Sequence, residues 1–124
     1  MSEQKDNICE GGRKLIFACS GAADVGDISD RAARKMSKDG IGAMFCMAGI
    51  GGQVEPIMQK TKSASKILAI DGCGLDCVKK SLELGGFNEF EHLRIIDLGM
   101  EKGSSPATDE NIAKVVKNCT ALLD

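Results

Sequence analysis

The feature that most constrains this chain is an apolar run that ends in an acid, a glycine and a thiol. The run Ile67-Leu68-Ala69-Ile70 has no polar alternation, as expected for a strand buried on both faces of a parallel sheet. Asp71-Gly72-Cys73 follows it, and a helical spacing of apolar residues then predicts a helix that Gly85 ends. The buried side of that predicted helix consists of Leu75, Val78 and Leu82. Cys73 is therefore predicted at the carboxyl end of a strand, and Cys77 in the first turn of the next helix.

Two more cysteines occupy equivalent positions along the chain. Cys19 follows the apolar run 15–18, and Cys46 follows the run 41–45. The separations from Cys19 to Cys46 and from Cys46 to Cys73 are both 27 residues, a length that suits one strand-helix unit with its loops. Met100 stands one further step along. Because equivalent positions in a parallel sheet lie at one edge, the sequence predicts four thiols there, with Cys77 as the fourth.

Strands and helices are predicted to alternate four times. The predicted strands are residues 14–18, 41–45, 67–70 and 93–98, and the helices end near Lys38, Ser63, Leu84 and the C-terminus. Pro56 is expected near the start of the second helix. With right-handed crossovers this pattern predicts an α/β fold, a small Rossmann-like three-layer sandwich with a four-stranded parallel sheet in the order 2-1-3-4 and four helices. Cys19 and Cys73 would then open into the crevice between strands one and three.

Composition limits the classes of function. The 124 residues suit a single metal-binding domain over residues 13–124, preceded by a flexible lead over residues 1–12. No apolar run approaches the roughly 20 residues of a membrane-spanning helix, and the polar start lacks a signal-peptide pattern, so we expect a cytoplasmic protein with reduced thiols. A net charge of -2 without Trp or Tyr argues against nucleic-acid binding.

Metal binding is the sharpest interpretation of the four thiols. A set of four thiolates suits tetrahedral zinc or, alternatively, an iron-sulfur cluster. The strands that precede Cys46 and Cys73 flank strand one and so lie nearly 10 Å apart, at about 4.8 Å per neighbouring pair. Sulfur atoms around one zinc lie within about 4 Å of one another. The glycine-rich loops must therefore curl inward, or else Cys46 is a spare ligand or the fourth position is open.

Two other interpretations of the thiols remain open. A thiol-dependent redox or transfer enzyme would use Cys73 and Cys77 as a dithiol pair, or Cys19 as the attacking thiol. Alternatively, strand-end cysteines are simply small buried apolar residues. A cysteine phosphatase is excluded because its arginine, six residues after Cys19, is replaced by Val25.

Several other residues carry weaker expectations. Asp71 is expected to accept hydrogen bonds from loop amides, with a supporting contact to a metal ligand as the alternative. His92, the only histidine, is expected at the surface rather than in a ligand set, and Cys119 in the core. Cys9 is expected to be a free thiol or an extra ligand. The glycine-rich stretch 49–52 could cradle an anion, but glycines that let a loop fold over a metal explain it as well.

The combination of motifs resembles the DGC family. Ile70-Asp71-Gly72-Cys73 with Cys77, preceded by the Cys19-Ser20-Gly21 loop and the loop that starts at Cys46, carries the resemblance from about Lys14 to Gly99. The family takes its name from the Asp-Gly-Cys motif and consists of small prokaryotic proteins described as candidate zinc-binding proteins. Its four cysteines map here onto Cys19, Cys46, Cys73 and Cys77. The resemblance implies zinc binding or handling but no particular reaction, so it leaves open whether the protein is an enzyme.

Overall fold

The computed structural model describes residues 12–124, and within them strands and helices alternate along the chain. The predicted lead, except Gly12, and Cys9 lie outside the described residues. The strands are β1 (Lys14–Ala18), β2 (Ala43–Met44), β3 (Lys66–Asp71) and β4 (Glu91–Arg94). The α-helices are α1 (Asp24–Lys38), α2 (Met47–Gly51), α3 (Glu55–Lys62), α4 (Cys77–Leu84) and α5 (Asp109–Leu123). A 3-10 helix, Ile95–Leu98, follows β4 directly.

The four strands form one parallel sheet in the order β2-β1-β3-β4, as the sequence predicts. β1 and β3 pair over five residues, from Lys14 opposite Lys66 to Ala18 opposite Ile70. β4 pairs with the last four residues of β3, which places Arg94 opposite Asp71. The carboxyl ends of β1, β3 and β4 therefore meet at one edge of the sheet.

Different helices cover the two faces of the sheet. Because side chains alternate along a strand, Ile16 lies on one face, and Leu15 and Phe17 lie on the other. α1 and α5 cover the first face, and their buried side chains include Val25, Ile28, Met36, Ile112, Val115 and Cys119. α2, α3 and α4 cover the second face, with Ile50, Ile57, Met58, Val78 and Leu82 packed there. The predicted three-layer sandwich is confirmed.

Cys119 lies in the layer between the sheet and α5. Its side chain is fully buried, and this burial raises the pKa of its thiol to about 12. The prediction that Cys119 is a core residue is confirmed.

A short additional helix, α2, forms within the stretch predicted to be a loop, so residues 12–124 contain five α-helices rather than the four predicted. α2 ends at Gly51, and Gln53 then adopts a left-handed backbone with φ of 54°. α3 starts at Glu55, so Pro56 stands in its first turn as predicted. The glycines predicted to form a loop instead lie in and directly after α2, and Gly49 packs so closely against Ile57 that a Cβ would approach that side chain to 2.7 Å. The expected glycine-rich loop is therefore wrong.

The fourth strand lies earlier in the chain than predicted. The sequence predicts residues 93–98, whereas β4 runs from Glu91 to Arg94 and the apolar residues after it form the 3-10 helix. Residues 91–94 form the strand because they pair with β3. The apolar residues that follow them instead cover the end of the core, where Ile95 is fully buried. His92 consequently lies within the sheet.

Among residues 12–124, no helix is both long enough and apolar enough to cross a membrane.

Candidate functional site

The four predicted ligand cysteines lie at the carboxyl end of the sheet, on three different connections. Cys19 follows β1, and its backbone N–H donates to the carbonyl of Ile70 at 2.9 Å. Cys73 lies two residues beyond β3, and Cys77 is the first residue of α4. Cys46 stands between β2 and α2. Cys19 and Cys73 are half-buried, whereas Cys46 and Cys77 are exposed.

Cys19 lies close to the β3–α4 connection. Partial burial raises the pKa of the Cys19 thiol, and the negative charge of Asp71 and the thiols of Cys77 and Cys73 raise it further. A hydrogen bond from the backbone N–H of Gly72 acts in the opposite direction. Three thiols and one carboxylate therefore influence one another across the crevice between β1 and β3.

The thiols nevertheless do not form a closed cluster. Within residues 12–124, the ligand atoms of Asp71, Asp76 and His92 are the only group of three or more metal-ligating side chains that all lie within 4.8 Å of one another. No three cysteine sulfurs in that part of the chain come so close. β1 lies between β2 and β3 in the sheet, and this order keeps Cys46 away from Cys73 and Cys77.

Cys46 faces a different environment from the other three thiols. It lines an open groove of about 520 Å³ beside the ends of β1 and β2, together with Ser20, Met44 and Met47. Asp30 and Arg34, paired on α1 at 2.7 Å, form another part of its wall. The structure therefore separates Cys46 from the group formed by Cys19, Cys73 and Cys77.

Asp71 caps the helix that carries Cys77. Its side chain is 1% exposed, and its carboxylate accepts hydrogen bonds from the backbone N–H groups of Val78 at 2.8 Å and Lys79 at 3.1 Å. These amides belong to the first turn of α4 and have no partner within the helix. The prediction that Asp71 accepts backbone amide hydrogens is confirmed.

His92 contacts Asp71 and is partly buried, so the prediction that it lies at the surface is wrong, whereas the prediction that it is not a metal ligand stays a prediction. Its ring nitrogen Nε2 lies 2.8 Å from Oδ2 of Asp71 and 3.8 Å from Oδ1 of Asp76, and its side chain is 20% exposed. The sequence contains one signal for this position. His92 and Arg94 stand two residues apart around the apolar Leu93, which is the spacing of one face of a strand.

Arg94 and Asp76 form an ion pair next to this contact, which the sequence analysis did not predict. The guanidinium donates from Nε to Oδ1 at 2.8 Å and from Nη2 to Oδ2 at 2.6 Å. This two-pronged contact lowers the pKa of Asp76 and raises that of Arg94. The carboxylate of Asp76 is thereby held ionised next to Cys77 in the chain.

The DGC domain family matches residues 15–119 of the chain. The chain belongs to the DGC family. Over 88 residues it is 34% identical to "Anaerobic and virulence modulator AnvM" of Pseudomonas aeruginosa, and the matched region covers 71% of this chain and 67% of that protein. No solved structure matches the chain.

Each residue of the Asp-Gly-Cys motif of this DGC domain has a different task. Asp71 caps α4, as described above. Gly72 passes so close to α1 that a Cβ would lie 2.9 Å from the backbone carbonyl of Val25, and its backbone N–H lowers the pKa of the Cys19 thiol. Cys73, the third residue, is half-buried against the core that α1 and α5 cover. Three consecutive residues of the motif therefore cap α4, pack against α1 and supply one of the thiols.

Proposed function

We propose that this DGC-domain protein binds a divalent metal ion, with zinc the first candidate, through cysteine thiolates at the carboxyl edge of its sheet. Cys19, Cys73 and Cys77 would supply three ligands, and because their sulfurs do not all lie within 4.8 Å of one another, the connections after β1 and β3 must close around the ion. Cys46 is the fourth candidate, and it requires the segment around α2 to approach the other three. Asp71 would support the site through its contacts behind the ligands. Bound zinc would supply a Lewis acid or a structural link between the connections.

The observation that carries this proposal is the grouping of thiols and a carboxylate around Cys19. Burial raises the pKa of its thiol, and the negative charge of Asp71 and the thiols of Cys77 and Cys73 raise that pKa further. A reactive nucleophilic thiol needs the opposite environment, in which positive groups lower its pKa. Negative groups beside several thiols instead favour a bound cation, which replaces the thiol protons. The donor set also fits a soft metal, because thiolates bind zinc more strongly than they bind hard cations.

Metal content and thiol protection test the proposal. The full chain is purified without oxygen, its metals are measured by elemental analysis, and free thiols are counted by alkylation before and after chelation. We expect about one zinc per chain, with three or four thiols that react only after chelation. Cobalt(II) added to the stripped protein should produce thiolate-to-cobalt charge-transfer absorption.

Serine variants identify the ligands. Cys19→Ser, Cys73→Ser and Cys77→Ser should each weaken cobalt(II) binding by about tenfold or more. Cys119→Ala is the matched control and should retain the metal, because Cys119 lies in the core. Cys46→Ser decides between a fourth protein ligand and an open position. A protein without metal, in which Cys19, Cys73 and Cys77 all react at once, would overturn the proposal. Iron with inorganic sulfide would replace zinc by an iron-sulfur cluster.

A thiol redox or transfer enzyme is the second candidate, favoured by the exposure of Cys77. This thiol stands at the first residue of α4 and is accessible to a substrate or to another thiol. With Cys73 it would form a dithiol pair. Reversible formation of a Cys73–Cys77 disulfide in a metal-free wild-type chain, detected by mass spectrometry, would support it. Either function uses reduced thiols, and we therefore infer a reducing compartment such as the cytoplasm.

A further inference from the structure

The backbone between the two motif thiols has an unusual conformation. Asp76 has φ of 55° and ψ of 44°, and among residues 12–124 Gln53 is the only other non-glycine residue with positive φ. This left-handed region is unfavourable for residues with a side chain, although aspartate tolerates it better than most residues. The N–H of Asp76 donates to the carbonyl of Cys73 at 3.3 Å, and Cys77 follows directly. The conformation of Asp76 therefore sets how the two thiols are joined.

The side chain of Asp76 is held from the neighbouring strand. Both of its oxygens contact Arg94, and the carboxylate is 8% exposed. Arg94 is itself fixed, since it is the last residue of β4 and lies opposite Asp71 in the sheet. Glycine would adopt the left-handed backbone without strain. An aspartate at this position instead lets the turn form an ion pair with Arg94 of the sheet.

We propose that Asp76 and Arg94 are positioning residues, whose ion pair holds the turn from Cys73 to Cys77 and so fixes where both thiols stand at the sheet edge. This inference rests on the proposed thiol metal site for its consequence. The capping contacts of Asp71 fix the start of α4, and the contact between Asp76 and Arg94 fixes the turn before it. Together these contacts hold the residues directly before and directly after Cys77.

Amide hydrogen exchange of the metal-free full chain tests the positioning itself. Arg94→Ala should raise the exchange rate of peptides over residues 73–80 by about tenfold or more, as expected for the loss of a charge-assisted hydrogen bond, while peptides over β1 stay unchanged. Arg94→Lys keeps the charge but not the two-pronged contact, so we expect partial rescue. Arg31→Ala is the matched control, because Arg31 forms an exposed pair with Asp27 on α1.

Substitutions of Asp76 separate backbone strain from the side-chain contact. Asp76→Ala loses the partner and keeps the strained backbone, whereas Asp76→Gly loses the partner and relieves the strain. We expect faster exchange over residues 73–80 in Asp76→Ala than in Asp76→Gly. Equal rates in wild type and Arg94→Ala would overturn the proposal. So would an equal rise over the whole chain, because that result indicates global stability rather than local positioning.

Cobalt(II) binding tests the consequence for the thiols. Arg94→Ala should weaken cobalt(II) binding by about tenfold and change the charge-transfer spectrum, whereas Arg31→Ala should change neither. If wild type binds no cobalt(II), the proposed metal function fails, and the exchange experiment still judges the positioning. Wild-type affinity and spectrum in Arg94→Ala would show that the ion pair does not position the thiols.

Discussion

At the scale of single residues, Asp71 has the most contacts with the site. Its carboxylate caps α4, approaches His92 and adds negative charge beside Cys19. A buried carboxylate requires such partners, because desolvation alone would favour its neutral form. The predicted capping role was available from the sequence, since an acid at the end of a buried strand needs hydrogen bonds. Its contact with His92 was not, because it depends on the register of β4.

Asp71→Asn should make Cys19 more reactive. The variant keeps one oxygen that can accept an amide hydrogen, but it removes the negative charge that raises the pKa of the Cys19 thiol. The thiolate fraction of Cys19 at pH 8 should therefore rise, and alkylation at this residue should be faster. Alkylation followed by mass spectrometry on metal-free protein measures the rate.

The control for this variant is Asp109→Asn. Asp109 is an exposed carboxylate at the start of α5, and its loss should leave the Cys19 rate unchanged. An unchanged or slower rate in Asp71→Asn would contradict the charge argument. A general increase at every thiol, including buried Cys119, would indicate unfolding instead.

At the scale of elements, helix ends are satisfied in different ways. α4 uses the carboxylate of Asp71 from the preceding strand, seven residues away along the chain. α5 uses its own N-cap, since the hydroxyl of Thr108 accepts the N–H of Asn111 at 3.1 Å. The sequence signals the second arrangement locally. The first depends on the turn that returns the chain from β3 to α4.

Thr108→Ala should destabilise the protein by about 1 kcal/mol, because it leaves the Asn111 amide without its capping partner. Urea unfolding of the reduced, metal-free chain measures this change. Thr120→Ala is the matched control, since Thr120 lies inside α5 and its hydroxyl donates to the carbonyl of Val116. We expect that variant to change stability by less than about 0.5 kcal/mol. Equal losses in both variants would show that capping is not the cause.

At the scale of the whole molecule, the sheet separates two hydrophobic cores, one on each of its faces. The side chain of Leu68 packs in the core that α1 and α5 cover, and that of Ala69 packs in the core on the opposite face. Because β3 is central, its side chains contact both layers and its carboxyl end carries the candidate site. Stability and the geometry of the thiols thus depend on the same strand.

Leu68→Ala should lower the free energy of unfolding by about 2–5 kcal/mol, because it leaves a cavity at a fully buried position. Leu84→Ala is the control, since Leu84 at the end of α4 is 82% exposed, and we expect a change below about 0.5 kcal/mol. Urea unfolding measures both variants. A loss below about 1 kcal/mol in Leu68→Ala would contradict close packing around β3.

The sequence by itself determined the strand order, the three layers and the edge at which the thiols lie. Apolar runs that lack polar alternation mark buried parallel strands, and the equal cysteine spacing marks equivalent strand ends. The buried face of α4 was predicted only in part: Val78 and Leu82 are buried, but Leu75 is 62% exposed. Asp76, which lies between Leu75 and Val78, has a left-handed backbone that changes the direction of the chain. The spacing of the apolar residues does not predict this conformation.

Only the tertiary structure decided which side chains meet at that edge. The ion pair of Arg94 with Asp76 and the contact of His92 with Asp71 depend on β4 starting at Glu91, because a strand shifted by one residue turns its side chains to the other face. The separation of Cys46 from Cys19, Cys73 and Cys77 likewise follows from the place of β1 between β2 and β3. Spacing along a chain fixes an edge, whereas distances across that edge come from pairing and turn geometry.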